Sequence, residues 1–452
     1  MNDTNTPEPA LKRWQRAVYG LPYLGYSIAS LPVVAFVPAF YASERGLDIG
    51  AIGLILALTR ITDVFTDPAV GWASDRLRTP IGRRKPVSLI GLPLLCISVW
   101  MLFVPAEQVG IWYVFVWSAL LYFSFTLVDL PFKAFGAELS PRYDERAELA
   151  GWREALGLAG TAIGLCAAVY IALQGSGELG DQMYALALIA VVSTPILFAI
   201  TFSILREPEI QEEEARVSSW SKTAKHIFKN GAFRLLIMAS FLVLAAEFGS
   251  SALKALILEQ VYDDKDIFPV LMLAELIVMV LATPSWLLFS KRYSKHQAIA
   301  IAALVGGVVS LLIPFVASSS LIVFCALSLV KAVCVGSFVV FFNGIAADVI
   351  DIDTARTGET KTGIYFALWG MVIKGAIAGG VLVATNLPAL LGYQVVDGEV
   401  FNPSALLWVF GFLPGIAFIL VCPIMLSWPL TRERQTRLRA AIDRRTLRRM
   451  NG

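Results

Sequence analysis

Charge is scarce in this chain. Of 452 residues only 16% are Asp, Glu, Lys or Arg, against roughly 25% in an average soluble protein. Fifty-seven per cent are apolar and the mean hydropathy is +0.68, more apolar surface than one water-soluble core can hide. A soluble multidomain enzyme is excluded on that ground, and so is intrinsic disorder. The five cysteines (96, 166, 325, 334 and 422) fall inside apolar stretches with no C-x-x-C spacing, so buried, inert thiols are expected rather than a disulfide scaffold or a metal site. Histidine is nearly missing: His226 and His296 are the two present, and both are expected in loops, which removes a histidine proton relay from the membrane interior. The sequence has no H-E-x-x-H, no G-x-x-x-x-G-K-[ST] and no G-x-S-x-G, so nothing points to a membrane protease, direct drive by ATP or a serine hydrolase. Lys plus Arg at 37 against Asp plus Glu at 35 names no acidic partner, and nucleic acid is not expected. Residues 1–11 lack the basic n-region of a secretory signal, so the first apolar run is expected to stay as a true span.

What the chain has instead is long apolar runs. A helix needs about twenty apolar residues to cross a bilayer, and that ruler finds spans near 18–41, 51–74, 86–104, 111–135, 149–173 and 183–205. A second set lies near 233–258, 268–290, 298–317, 321–347, 363–391 and 404–428. The expected organisation is an all-α membrane protein of about twelve helices in two six-helix bundles, 1–205 and 233–430. A charged central loop (206–232) joins them and a basic tail (431–452) follows. Short-loop basic residues fall on one side: Lys12, Arg13 and Arg16, Arg76 to Lys85, Arg142 and Arg146, Lys291 to Lys295, Arg356 and Lys361, and eight arginines after Thr431. The other side offers little beyond Arg45 and Lys265. This asymmetry places both termini and the central loop in the cytoplasm, with the tail against anionic lipid.

The halves echo each other. Pro68, Ser74 and Arg76 match Pro284, Ser290 and Arg292 at a shift of 216, and each fourth span ends on an acid, Glu138 or Asp348, followed by Arg146 or Arg356. Parallel repeats with a binding site at their interface are a transporter layout.

Ionisable residues inside spans are costly and are functional hypotheses by default. Arg60, Asp63 and Asp67 lie at i, i+3 and i+7 on one helix face. Pro68 cannot donate to the carbonyl of Val64, so oxygens collect where two carboxylates stand one turn apart. That suits Na⁺, or H⁺ on a carboxylate of raised pKa; an ion pair that ties helices together is the structural alternative. Thr126, Asp129 and Lys133 share a face of the fourth span, and Arg153 and Glu154 open the fifth. In the second half Lys254, Lys331 and Lys374 lie deep, with Glu247 and Glu275 as partners if the lysines are neutralised internally, or an anionic cargo if they are not.

Gly71-Trp-Ala-Ser-Asp75-Arg76 followed by Gly82-Arg83-Arg84 resembles the signature hairpin of the major facilitator superfamily. With Asp63-x-x-x-Asp67-Pro68, Asp129-Leu-Pro131, Asp144-Glu145-Arg146 and Asp348-Val-Ile-Asp351 before Thr357-Gly358, the chain is similar to the glycoside–pentoside–hexuronide:cation symporters over nearly its whole length. The resemblance implies a coupling-cation site at Asp63, Asp67 and Thr126, with Asp129 bridging cation and sugar. It implies a substrate pocket holding Arg153, Lys374 and Trp369, to which Lys331 is added. Gly71, Asp75, Arg76, Gly82, Arg83, Arg84, Arg146 and Arg356 would gate the conformational change. Where the family's best-known member has a first-span aspartate this chain has Ser27, and where it has a tryptophan this chain has Lys133, so both enter the expected pocket and an acidic sugar becomes the expected cargo. The function implied is cation-coupled symport (Na⁺ or H⁺) by alternating access in an inner membrane, as a monomer without a cofactor. A lysophospholipid or other amphiphilic anion is the alternative cargo, and a non-transporting sensor or membrane enzyme the remaining class.

Overall fold

The computed structural model describes residues 11–140, 142–175, 178–207, 227–318, 320–357, 362–396 and 399–429. Most of the expected central loop and the whole basic tail lie outside these residues. Twelve helices among the described residues are long and apolar enough to cross a membrane, matching the expected number. They are apolar nearly all round: Ile322 and Leu390 are 81% and 82% exposed, which lipid accepts and water would not.

The chain divides into two compact units, Met1–Leu47 with Leu58–Glu213, and Asp48–Ala57 with Glu214–Gly452. The first holds α1 (Arg13–Gly20), α2 (Pro22–Ala35), α3 (Val37–Ser43), the end of α4 (Ile49–Ile61), α5 (Asp63–Arg76), α6 (Lys85–Phe103), α7 (Ile111–Glu138), α8 (Tyr143–Leu173) and α9 (Leu179–Ile204). The second holds α10 (Gly231–Gln260), α11 (Ile267–Arg292), α12 (Lys295–Val316), α13 (Leu321–Thr357), α14 (Thr362–Leu390) and α15 (Ser404–Leu426). Prolines punctuate the first span: Pro22 and Pro38 sit in the first turns of α2 and α3, where a missing N–H costs nothing.

Packing repeats between the units. In the first, α2 packs on α8 and α9, α6 on α7 and α9, and α5 on α7; in the second, α10 packs on α14 and α15, α12 on α13 and α15, and α11 on α13. Counting spans within each half, these are the same pairings, so the weak sequence echo marks a duplicated packing plan. Glycine makes the tightest of these contacts possible. A Cβ on Gly160 would lie 2.2 Å from the Leu24 carbonyl oxygen, and one on Gly380 would lie 2.0 Å from that of Ala245, so α8 and α14 reach their neighbours backbone to backbone.

Two expected boundaries differ. The fourth span of the second half was expected to end near Ala347, yet α13 runs on to Thr357. No Gly or Pro follows Gly344 in that stretch, and nothing in the backbone stops a helix where lipid ends. Likewise α8 begins at Tyr143, not near residue 149. A short antiparallel hairpin, β1 (Gln394–Val396) with β2 (Glu399–Phe401), pairs Val395 with Val400 before the last span.

Candidate functional site

The second span of the first unit is discontinuous where the carboxylates stand. α4 ends at Ile61, Thr62 donates its hydroxyl to the Thr59 carbonyl at 2.6 Å, and Asp63 opens α5. A carboxylate in the first turn meets the positive end of the helix dipole. Asp63 is 2% exposed and stands 3.4 Å from the Arg60 guanidinium, which in turn lies over the Tyr122 ring at 4.7 Å. Asp67, one turn on, accepts the Thr126 hydroxyl at 2.9 Å. Thus α5 and α7 bring Asp67 and Thr126 together, two residues of the expected cation set.

One turn further along α7, Asp129 is held from two sides. Its Oδ2 meets Lys133 Nζ at 2.7 Å, and its Oδ1 accepts the hydroxyl of Tyr23 from α2. The Arg153 guanidinium of α8 lies 5.3 Å over the Tyr23 ring and pairs with Glu154 at 2.6 Å. Tyr26 packs on both Tyr23 and Phe125. Ser27 stands beside Gly157 of α8, a turn from Tyr23. The result is a charge-balanced cluster, Asp129 and Glu154 against Lys133 and Arg153, walled by tyrosines.

In the second unit the deep lysines have carboxylate neighbours. Lys254 donates to Glu275 at 2.5 Å, and Lys331 stands 3.1 Å from Glu247. Trp369 donates its indole N–H to the Ser240 hydroxyl at 3.1 Å and is buried in the core of the unit. Lys374 lies on α14 one turn beyond Trp369.

The hairpin between α5 and α6 is a lock of ion pairs. Arg84 meets Asp75 at 2.6 Å, Glu138 at 2.7 Å and the Ser74 hydroxyl at 3.0 Å, and Arg83 meets Glu138 at 2.8 Å. Burial works against the Arg84 charge, but Glu138 and then Asp75 outweigh it and hold its pKa above the ordinary value. Glu207 closes the hairpin by accepting the backbone N–H groups of Arg83 (2.8 Å) and Arg84 (3.0 Å), donors at the start of α6 with no partner inside the helix. Gly82, at φ +112°, allows this approach: a Cβ there would lie 2.1 Å from a Glu207 carboxylate oxygen. Arg76 stacks on Trp72 at 4.1 Å, Gly71 faces Leu130, and Arg146 caps the Ser140 carbonyl at 2.7 Å. The second unit repeats the lock in reduced form, with Lys295 on Asp348 at 3.0 Å. The side chain of Arg356 lies outside the described residues.

A family model described as MFS/sugar transport protein matches residues 18–432. The chain belongs to this family. It is therefore a multi-pass membrane transporter of the major facilitator fold, as the motifs of the first span set and the hairpin imply. Among its relatives in Escherichia coli (strain K12), a glucuronide carrier protein homolog is 23% identical over 96% of both chains. A candidate glycoside/cation symporter, YagG, is 24% identical over 79% of this chain and 80% of its own. A sodium-dependent lysophosphatidylcholine symporter of Danio rerio is 23% identical over 94% of this chain and 87% of its own. Among solved structures, a D-xylose-proton symporter superposes with TM-score 0.67 at 14% identity, covering 91% of this chain and 96% of that one. The nucleoside transporter NupG gives 0.64 at 16%, covering 93% and 100%.

Within this MFS chain the local signals found the carboxylates and their partners Arg60, Thr126 and Lys133, but not every group that packs on them. Tyr23, Tyr122 and Glu207 were not among the expected site residues. The signal available for Tyr23 was its place four residues before Ser27, on the same helix face. For Glu207 it was an acid directly after an apolar span, which can cap a neighbouring helix start.

Proposed function

We propose that the transporter is a cation-coupled symporter of a sugar or glycoside, working by alternating access in an inner membrane with both termini in the cytoplasm and as a monomer. The observation that carries this reading is the join between α5 and α7. Asp67 and Thr126 are bonded at 2.9 Å, Asp63 sits buried at a helix break one turn away, and Asp129 follows Thr126 on the same face of α7. A monovalent cation held among these oxygens reaches the cargo-facing carboxylate through one helix turn, which supplies the linkage that coupling requires.

The cluster around Asp129 suits hydroxyl recognition. Asp129 is an acceptor, Lys133 and Arg153 are donors, and the charges balance. A neutral glycoside enters without adding charge, whereas a hexuronide has to draw Lys133 away from Asp129. Likeness to a lysophosphatidylcholine symporter supports a lysophospholipid as the second reading.

Uptake into proteoliposomes under an imposed Na⁺ or H⁺ gradient tests the proposal, with matched hexosides and hexuronides and a lysophospholipid as competitors. Gradient-driven accumulation of a glycoside is the expected result. Accumulation that ignores both gradients overturns coupling, and competition by the lysophospholipid alone moves the cargo to the second reading.

A further inference from the structure

Arg60 is held by more than the carboxylate beside it. It lies in the last turn of α4, where a cation meets the negative end of the helix dipole. Its guanidinium stands 3.4 Å from Asp63 and lies over the Tyr122 ring of α7, 4.7 Å from the centroid, within the distance at which an aromatic face attracts a cation. Tyr122 is 5% exposed, and Arg60 Nε is buried with no hydrogen bond. On α7, Tyr122 stands one turn before Thr126 and two before Asp129. One face of that helix therefore offers a ring to Arg60 and a hydroxyl to Asp67. The two units do not share this pair. The shift of 216 that carries Pro68 onto Pro284 carries Arg60 onto Leu276, and the shift of 210 that carries Glu138 onto Asp348 carries Tyr122 onto Ala332.

We propose that Tyr122 is a positioning residue for the coupling cation: its ring takes the Arg60 guanidinium when the cation takes Asp63, and so sets the affinity for that cation. The role rests on Asp63 belonging to the coupling site. A bound cation and Arg60 compete for one carboxylate, because two positive charges against it repel each other. Without the cation, Arg60 has the carboxylate, the ring and the helix end. With Asp63 engaged, the ring and the helix end remain, and a guanidinium parted from its carboxylate leans on the ring more heavily. Removing the ring thus weakens the cation-bound state more than the cation-free state, and a difference between states is what moves an affinity. A contact that only packs α4 on α7 would weigh on both states alike. The π face does this work without the phenol hydroxyl, so Phe or Trp can replace Tyr122, whereas Leu keeps apolar bulk and loses the face.

The test uses the purified full chain in detergent and needs no cargo. Its melting temperature is followed against NaCl, with N-methyl-D-glucamine chloride holding the ionic strength constant, and gives the Na⁺ concentration of half-maximal stabilisation. Tyr122→Phe and Tyr122→Trp are expected to keep the wild-type midpoint, and Tyr122→Leu to raise it roughly two- to thirty-fold. If Tyr122→Leu fails to fold, Tyr122→Met removes the ring in its place. With Arg60→Gln as background the competitor is gone, so adding Tyr122→Leu should leave the midpoint where it was. An unchanged midpoint in Tyr122→Leu overturns the proposal and leaves Na⁺ binding standing. So does a rise in Tyr122→Phe as large as in Tyr122→Leu, or a rise that persists in the Arg60→Gln background. A wild type that does not respond to Na⁺, or a response that survives in Asp63→Asn, overturns it together with Asp63 as a Na⁺ site.

Discussion

Exchanging Glu138 for Gln should destabilise the protein far more than exchanging Asp75 for Asn, although Asp75 is the residue of the hairpin motif. The Glu138 side chain is 15% exposed, and its Oε1 accepts from Arg83 Nη2 at 2.8 Å and from Arg84 Nε and Nη2 at 3.1 and 2.7 Å. Hydrogen bonds to charged groups contribute about 1.5–3 kcal/mol each, and removing one member of a buried pair costs roughly 3–5 kcal/mol. The three bonds share one oxygen and a Gln can still accept, so the lower end applies, about 3 kcal/mol or a factor of roughly 150 in the unfolding equilibrium. Asp75 also meets Arg84 closely, at 2.6 Å, but its side chain is 60% exposed, and solvent screening reduces such a pair to about 0–1 kcal/mol. Unfolding in detergent can be followed through reaction of a thiol dye with Cys334, 3% exposed in the fold. A loss in Asp75→Asn equal to or larger than that in Glu138→Gln would refute the assignment of Glu138 as the centre of the lock.

Asp63→Asn is expected to abolish gradient-driven uptake while leaving some binding of cargo, because it removes a buried carboxylate from the break in the second span; full accumulation by this variant takes Asp63 out of the coupling site. Asp75→Ala or Arg83→Ala should slow turnover more than it weakens cargo binding, since neither contacts Asp129 or Arg153; an unchanged exchange rate with a large loss of affinity contradicts that. Glu44 accepts the Gly180 N–H at the start of α9 at 3.1 Å, and burial raises its pKa above the ordinary carboxylate value. Its folded state therefore holds the proton more tightly than the unfolded chain, so the stability it contributes is full below about pH 4.3 and is lost as pH rises through the folded value. Glu44→Gln should remove that part of the fall in a stability-against-pH curve, and a curve unchanged by the substitution would dismiss Glu44 as its source.

How far the sequence could be read depended on how local the signal was. Asp63, Asp67 and Pro68 announce themselves within nine residues of Arg60, and Asp129 and Lys133 within a single turn, so spacing alone predicts that they share a face. Tyr23 reaches Asp129 across 106 residues and Glu207 reaches Arg83 across 124, and the local marks, a place one turn before Ser27 and an acid after an apolar span, name neither partner. The spans were legible because about twenty apolar residues are a physical requirement of the bilayer. The ends of α8 and α13 were not, because hydropathy measures lipid contact and the backbone goes on being helical in water. The sequence between Val395 and Val400 holds an Asp-Gly dipeptide, a hairpin signal that the length of apolar runs does not register.

The duplication itself separates scaffold from chemistry. Helix pairings recur in both units, and so does a basic residue of the hairpin on the acid that closes the fourth span: Arg83 and Arg84 on Glu138, Lys295 on Asp348. At mid-span the correspondence stops. The shift of 216 that carries Pro68 onto Pro284 carries Asp63 onto Met279 and Asp67 onto Thr283, and the shift of 210 that carries Glu138 onto Asp348 carries Asp129 onto Val339. The proline has kept its place while the carboxylates beside it have no counterparts. A structural role for those acids, tying α5 to its neighbours, would be needed equally in a unit with the same packing, yet α11 and α13 pack without them. What the first unit has and the second lacks at these positions is the set of carboxylates that the proposed cation site uses. The second unit places its own buried charges elsewhere, on α10, α11 and α13, so each half of the duplicated frame carries a different ionisable centre.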